Sequence, residues 1–138
     1  RIINLEGGEI AIAGTGSLTI NGTGSSILDI TGSAISRIFV IDPSATLNIS
    51  GVRLRHGNAA GSSTGNGGCI QNFGKLTVTS SIFLACYAPN AGGAIHSGGG
   101  SAELRVGYRL RENTRATRSP AADNRFLLRV FRWGLQQA

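Results

Sequence analysis

The sequence predicts an all-β chain folded as a right-handed parallel β-helix, a three-sided solenoid of about four coils with roughly 29 residues each. Three observations lead to this prediction. A leucine-centred segment recurs at a nearly fixed spacing, and apolar and polar residues alternate within each copy. The chain also contains 21 glycines among 138 residues, 19 of them before Ser101, which is typical of a β-protein with many tight bends.

The repeat is anchored on four leucines, which are Leu18, Leu47, Leu76 and Leu104. The first three are 29 residues apart, and the fourth follows after 28. Each leucine begins a short alternating segment, so one face of the strand is apolar and the other polar. One such strand cannot bury its apolar face alone, whereas strands stacked about 4.8 Å apart place leucine on leucine. We therefore expect Leu104 to stack on Leu76.

Two further strands are predicted in each coil. The second strand is expected at residues 52–56, 81–84 and 108–112. The third lies behind paired glycines at 67–72 and 92–97, with 37–41 and 9–12 in the equivalent places of earlier coils. The competing interpretation is a β-sandwich or barrel, but hairpins between neighbouring strands do not produce a 29-residue period.

The chain is predicted to have two regions, because the repeat stops after residue 113. Residues 1–113 contain the β-helix repeats, and residues 114–138 form a basic tail. The net charge is +6, but residues 1–100 carry five basic and four acidic side chains, whereas residues 101–138 carry eight arginines and three acids. Basic character therefore belongs to the C-terminal quarter rather than to the fold. Residues 124–135 predict an amphipathic helix with Arg125, Arg129 and Arg132 on one face.

Three interpretations of the tail stay open. It caps the open end of the solenoid, which otherwise exposes strand edges and core leucines. It makes weak contact with a membrane surface or a partner through its basic amphipathic segment. Or it is a non-native end, because the glycine pattern stops abruptly and every basic residue is arginine. Capping is the preferred interpretation.

The double-glycine motifs carry a resemblance to a known group of proteins. Gly92-Gly-Ala-Ile95 and its variant Gly67-Gly-Cys-Ile70 resemble the repeats of polymorphic outer membrane proteins and related autotransporter passengers, which share the pectate-lyase-like solenoid. The resemblance covers about residues 9–113, and Cys86 stands where those repeats often have asparagine after Phe83. It implies an extracellular or bacterial cell-surface, outer-membrane-associated module for adhesion or structural display through a lateral sheet face.

The alternative function is that of a fragment of a polysaccharide lyase or hydrolase on the same scaffold. Such chemistry needs several convergent acids or bases on one face. The acids of the predicted solenoid are Glu6, Glu9, Asp29, Asp42, Glu103 and Glu112. No two of them fall at stacked positions, and Asp42 precedes Pro43, where turn initiation is its commoner role. We therefore predict no catalytic residue, no metal site and no cofactor.

A basic row is the one candidate binding feature, and its residues are Arg53, Arg55, His56, Arg109 and Arg111. The arginines at 53 and 55 alternate with an inward leucine, so both are expected to face outward, and the pair at 109 and 111 to match them two coils later. The hypothesis is a stripe for an acidic polysaccharide or another polyanion. The commoner alternative is a solvated face whose charges discourage edge pairing.

The expected partners follow from this row and from the resemblance. They are a host or matrix protein or an acidic polysaccharide, with no sequence-specific nucleic acid. End-to-end self-association of the solenoid is a further expectation, because an open end exposes unpaired strands.

Free thiols are the preferred interpretation of the two cysteines, and a disulfide between them is the less favoured alternative. Cys69 aligns with Ala94, a small inward position, and is interpreted as a buried free thiol. Cys86 falls at a bend one coil later, where stacking does not bring it opposite Cys69. His56 and His96 lack neighbouring ligands in the pattern and are predicted to be polar surface residues.

Overall fold

The computed structural model describes residues 1–104 and the strand Arg109–Glu112. Within these residues the chain is all-β, and its strands stack into a three-sided parallel solenoid of about four coils. The fold class predicted from the leucine repeat is confirmed. The predicted helix at 124–135 and the basic tail lie outside the described residues.

The strands belong to three sheets, one on each side of the solenoid. Sheet 1 contains β1 (Ile2–Asn4), β4 (Asp29–Thr31), β7 (Arg53–Arg55), β10 (Ile82–Cys86) and β13 (Arg109–Glu112). Sheet 2 contains β2 (Ile10–Ile12), β5 (Phe39–Ile41), β8 (Ile70–Asn72) and β11 (Ile95–Ser97). Sheet 3 contains β3 (Ser17–Asn21), β6 (Thr46–Ser50), β9 (Lys75–Thr79) and β12 (Ser101–Leu104).

Every described pairing between named strands is parallel, so each backbone group can bond to the coil above or below. Stacking places inward aliphatic and aromatic side chains in columns along the axis. The best-buried columns are Ile30–Leu54–Phe83 in sheet 1, Phe39–Ile70–Ile95 in sheet 2 and Leu47–Leu76 with Ile49–Val78–Leu104 in sheet 3. These columns form one continuous core.

The corners between the sheets differ in length. Residues 56–69 form the longest described corner, between β7 and β8, whereas the corner between β1 and β2 contains only residues 5–9. The close packing of the corners depends on glycine. A Cβ on Gly68 would lie 2.1 Å from the carbonyl oxygen of Gly93, which no side chain can tolerate.

The expected register of the fourth copy is wrong by two residues. Ala102 pairs with Leu76, and Leu104 pairs with Val78 rather than with Leu76. The reason is the corner between β10 and β11, residues 87–94, which is shorter than the equivalent corner at residues 56–69 and brings the chain back into sheet 3 early. A two-residue shift preserves the inward direction of Leu104 because side chains alternate with a period of two.

The prediction of two free thiols is also wrong. Cys69 and Cys86 form a disulfide with a Cα–Cα distance of 5.4 Å, and both residues are completely buried. A β-bulge near the end of β10 produces this geometry: Ala85 has φ +52° and is exposed, and the register shifts between Leu84 and Cys86. Regular alternation would turn Cys86 outward, but the bulge turns it into the core.

The disulfide lies at the corner where sheet 1 meets sheet 2. Cys69 directly precedes β8, and Gly57 lies beside it in the same corner. A Cβ on Gly57 would approach the Sγ of Cys69 to 2.8 Å. The absence of a side chain at this position therefore makes room for the sulfur atoms.

Candidate binding face

The outer face of sheet 1 carries the predicted basic row. In register order, Asp29 pairs with Arg53, Arg53 with Ile82, and Ile82 with Arg109. Two residues further along each strand, the register order is Thr31, Arg55, Leu84 and Arg111. Rows of different chemistry thus succeed each other along the solenoid axis, about 4.8 Å apart.

The alternating pattern of β7 explains why its arginines face outward. Leu54 is completely buried in the core, whereas the side chains of Arg53 and Arg55 keep 32% and 26% of their surface exposed. Both arginines therefore lie against the sheet with their stems partly covered and their charged groups at the surface. This confirms the predicted orientation of these two residues.

Both guanidinium groups converge on one carboxylate of the preceding coil. Nε of Arg53 donates to Oδ1 of Asp29 and Nη2 donates to Oδ2, each at 2.7 Å. Nε of Arg55 contacts Oδ2 of Asp29 at 3.0 Å, as an ion pair outside hydrogen-bond alignment. The paired fork geometry with Arg53 is the arrangement in which arginine holds a carboxylate most specifically.

Asp29 is 4% exposed, and its ionised form is favoured by these contacts. The hydrogen bonds from Arg53 hold the pKa of the Asp29 carboxyl below its ordinary value of 3.8, although burial acts in the opposite direction. The positive charges of Arg53 and Arg55 add to the lowering of this pKa. The same hydrogen bonds raise the pKa of Arg53 above its ordinary value.

The remaining nitrogens of the pair are available to an external anion. Arg53 uses Nε and Nη2 for Asp29, and Arg55 uses only Nε, so three terminal nitrogens in total have no contact within the part of the chain that the structure describes. Two positive charges and one negative charge leave this group with a net positive charge.

The other predicted site residues are placed differently. His56 is exposed directly after β7 with φ +50°, where its backbone N–H donates to the carbonyl of Leu84. Arg109 and Arg111 occupy register positions next to Ile82 and Leu84, as the sequence predicted two coils on, and their side chains lie outside the described residues. An aliphatic row, Ile82 and Leu84, therefore separates the two arginine rows.

Sequence reasoning named Asp29 as an acid of the solenoid but did not place it beside the arginines, because it did not predict β4. The strand comprises only Asp29, Ile30 and Thr31, and a seven-residue corner separates it from β3, whereas two residues separate β6 from β7. The alternation of apolar and polar residues in Leu28-Asp-Ile-Thr31 was the available signal.

A third ion pair, between Arg37 and Glu9, has a structural role. Arg37 is 5% exposed, its Nε contacts Glu9 of the preceding coil, and its Nη1 donates to the backbone carbonyl of Asn66 at 3.1 Å. These contacts link three coils at the corner of sheets 1 and 2. Because the guanidinium is enclosed by these partners, it does not present charge to a ligand as Arg55 does.

His96 is half-buried on the outer face of sheet 2, so the prediction of a polar surface residue is only partly right. Its Nδ1 lies 2.7 Å from Nε2 of Gln71, which is 1% exposed. Asp42 closes a turn through its backbone carbonyl, and its Oδ2 accepts a hydrogen bond from the N–H of Gly14. Within the described ranges, no three His, Cys, Asp or Glu residues are grouped as a metal site would require.

The chain matches no protein-family model, and comparisons with curated proteins and with solved structures give no significant match. Across residues 1–104 and 109–112, no helix is long and apolar enough to span a membrane.

Proposed function

We propose that the chain is a non-catalytic β-solenoid module that binds an acidic polysaccharide through the outer face of sheet 1. The observation that carries this proposal is the convergence of Arg53 and Arg55 on the carboxylate of Asp29. Two outward arginines on one strand already hold an oxyanion, and they retain donors that face solvent. Arginine is suited to carboxylate and sulfate groups because its planar fork can donate two parallel hydrogen bonds.

The neighbouring rows suit a sugar chain better than a compact anion. Ile82 and Leu84 are partly exposed beside the arginines, so they can contact the apolar face of a sugar ring. The register positions of Arg109 and Arg111 lie two rows from Arg53 and Arg55, a distance of about 9.6 Å at the usual strand spacing. A polymer with repeated anionic groups matches this arrangement, whereas a single small anion uses only one row.

The disulfide supports a location outside the cytoplasm. Disulfides form and persist in secreted and surface proteins and are rare in reducing compartments. The resemblance of the Gly92-Gly-Ala-Ile95 and Gly67-Gly-Cys-Ile70 motifs to autotransporter passengers points to the same place. We therefore propose an extracellular or bacterial cell-surface module for adhesion or structural display.

The test compares retention on immobilised heparin at low ionic strength. The double variant Arg53→Ala/Arg55→Ala should elute at clearly lower salt than the wild type, because two of the facing charges are lost. Lys75→Ala is the control for loss of an exposed charge, since Lys75 lies on sheet 3. Equal elution of the double variant and the wild type would refute the proposed face.

The lyase or hydrolase alternative stays a prediction and has its own assay. Pectin, alginate and glycosaminoglycans are incubated with the chain, and unsaturated products are followed by ultraviolet absorbance and new reducing ends by a colorimetric assay. Turnover of any of them would replace the binding proposal by an enzymatic one. We expect none.

A further inference from the structure

We infer that the outer face of sheet 1 selects sulfate esters, so that its ligand is a sulfated glycan rather than a glycan that carries only uronic acids. This inference rests on the function proposed above, because it names the anionic group that the same face binds. It follows from the way in which Arg53, Arg55 and Asp29 share their hydrogen-bonding atoms.

The best position for a carboxylate on this face is already filled by the chain itself. Nε and Nη2 of Arg53 form the edge of the guanidinium that holds two carboxylate oxygens at once, and both donate to Asp29 at 2.7 Å. Strand register holds Asp29 opposite Arg53. A ligand carboxylate would have to displace an identical group that is attached to the protein and therefore competes at a high effective concentration. A uronic acid gains little at this position.

Three terminal nitrogens remain for a ligand, namely Nη1 of Arg53 and both Nη atoms of Arg55. None of them has a contact within the part of the chain that the structure describes. Arg55 contributes two because only its Nε approaches Asp29, at 3.0 Å. Since both guanidinium groups converge on one carboxylate, their remaining nitrogens belong to one site and offer three donors to a single anion.

The number of donors and the local charge select among the anionic groups of biological polymers. Two arginines and one aspartate leave this group with a net positive charge of one. A carboxylate and a phosphodiester each carry one negative charge but have only two terminal oxygens. A phosphate monoester has three terminal oxygens but carries about −1.5 to −2 charges at pH 7, more than the group neutralises. A sulfate monoester, with three terminal oxygens and one negative charge, matches both.

The neighbouring aliphatic row favours a sulfated sugar over free sulfate. Ile82 pairs with Arg53, and Leu84 pairs with Arg55, on the side opposite β4 and its Asp29. Both aliphatic side chains are half-buried and lie about 4.8 Å from the arginine row. The C–H face of a sugar ring can cover this row while its sulfate contacts the arginines, whereas inorganic sulfate would leave the row in water.

The first experiment compares two polyanions with the same backbone. Dextran sulfate and carboxymethyl dextran, matched in chain length and in charge per sugar, are tested with the 138-residue chain by biolayer interferometry at moderate ionic strength. We expect dextran sulfate to bind about tenfold more tightly, because one more charge-assisted hydrogen bond forms. Equal affinities would overturn the sulfate inference but leave the proposed polyanion face standing. Binding of neither polymer would refute both.

A third polymer distinguishes sulfate from phosphate. Single-stranded DNA of matched length presents phosphodiesters, whose two terminal oxygens leave one of the three donors without a partner. We expect DNA to bind no more tightly than carboxymethyl dextran. Binding as tight as that of dextran sulfate would assign the face to phosphodiesters and overturn the inference.

The variant Arg55→Lys tests the role of the terminal nitrogens. Lysine keeps the positive charge but replaces the two Nη atoms by one ammonium group, and the hydrogen bonds between Arg53 and Asp29 stay in place. We expect the preference for dextran sulfate over carboxymethyl dextran to fall to about twofold or less. Lys75→Arg on sheet 3 is the matched control and should keep the wild-type preference. An unchanged preference in Arg55→Lys, or an equal loss in Lys75→Arg, would contradict the assignment.

Discussion

Arg53 and Asp29 are joined across two coils of the solenoid by two hydrogen bonds of 2.7 Å. Both hydrogen bonds follow from the strand register, because the two residues are paired in sheet 1. The ion pair affects anion binding at the outer face of this sheet in two ways. The carboxylate shows that the arginines can hold an oxyanion, and it also neutralises part of their charge.

The substitution Asp29→Asn should therefore strengthen binding to heparin. Removal of one negative charge close to Arg53 and Arg55 is worth about 1 kcal/mol at low salt, or on the order of fivefold in affinity. Titration calorimetry at low and moderate ionic strength measures the change, and added salt should reduce it. Equal affinities of variant and wild type at low salt would show that Asp29 does not compete with the ligand.

The stability of the chain should depend on pH through Asp29. Its pKa is lower in the folded chain than the unfolded value of about 3.9, so protons bind preferentially to the unfolded state below that pH. The stabilisation by the ionised Asp29 carboxyl is fully present above about pH 4. It decreases as the pH falls below about 4 and is lost below the pKa of the folded state. Since the partners are partly exposed, it amounts to about 1–2 kcal/mol.

Urea unfolding at about pH 6 and about pH 3 tests this dependence. The wild type should lose more stability on acidification than Asp29→Asn, because the variant has no carboxyl to protonate at this position. The difference between the two chains removes the contributions of the other acids. Identical losses would mean that Asp29 does not stabilise the fold through its charge.

The disulfide should make a large contribution to stability. It closes a loop with a sequence separation of 17 residues, for which the loss of unfolded-state entropy corresponds to about 3 kcal/mol. Cys69→Ala/Cys86→Ala should therefore lower the free energy of unfolding by roughly this amount, without altering the β-sheet circular dichroism. Titration of the unfolded, unreduced wild type with a thiol reagent should detect no free thiol. Two free thiols would restore the prediction made from the sequence.

Gly68→Ala should be strongly destabilising for a purely steric reason. The added Cβ would meet the Gly93 carbonyl oxygen at 2.1 Å and the backbone of Tyr87 at 2.5 Å, so a corner must shift at a cost of about 2–3 kcal/mol. Gly61→Ala is the matched control, because nothing lies within 4 Å of its Cβ position. Thermal melting should separate the two variants by several degrees. Equal melting temperatures would contradict the close approach of these corners.

The sequence was sufficient to predict the parts of the fold that repeat. The spacing of Leu18, Leu47 and Leu76 predicted both sheet 3 and its register, which pairs these residues directly. The outward orientation of the β7 arginines was predicted correctly because a buried leucine lies between them. These predictions succeed because period-two alternation and a constant coil length act on every coil in the same way.

The errors occur where a coil departs from the repeat. The register of Leu104 was predicted wrongly because the corner between β10 and β11 is shorter than in the preceding coil. The direction of Cys86 was predicted wrongly because the bulge at Ala85 interrupts alternation. The position of Asp29 next to the arginines was not predicted because its strand has only three residues after a long corner. Irregular corners and bulges are set by local packing, which a periodic pattern does not reveal.

Nuclear magnetic resonance tests most directly whether the outer face of sheet 1 binds an acidic polysaccharide. A heparin-derived oligosaccharide is titrated into isotopically labelled protein, and the Nε–H signals of arginine are followed together with the backbone amides. We expect the largest shifts at Arg53 and Arg55 and along β7 and β10 of sheet 1. Shifts concentrated around Lys75 on sheet 3, or no shifts within the solenoid at saturating oligosaccharide, would contradict this expectation.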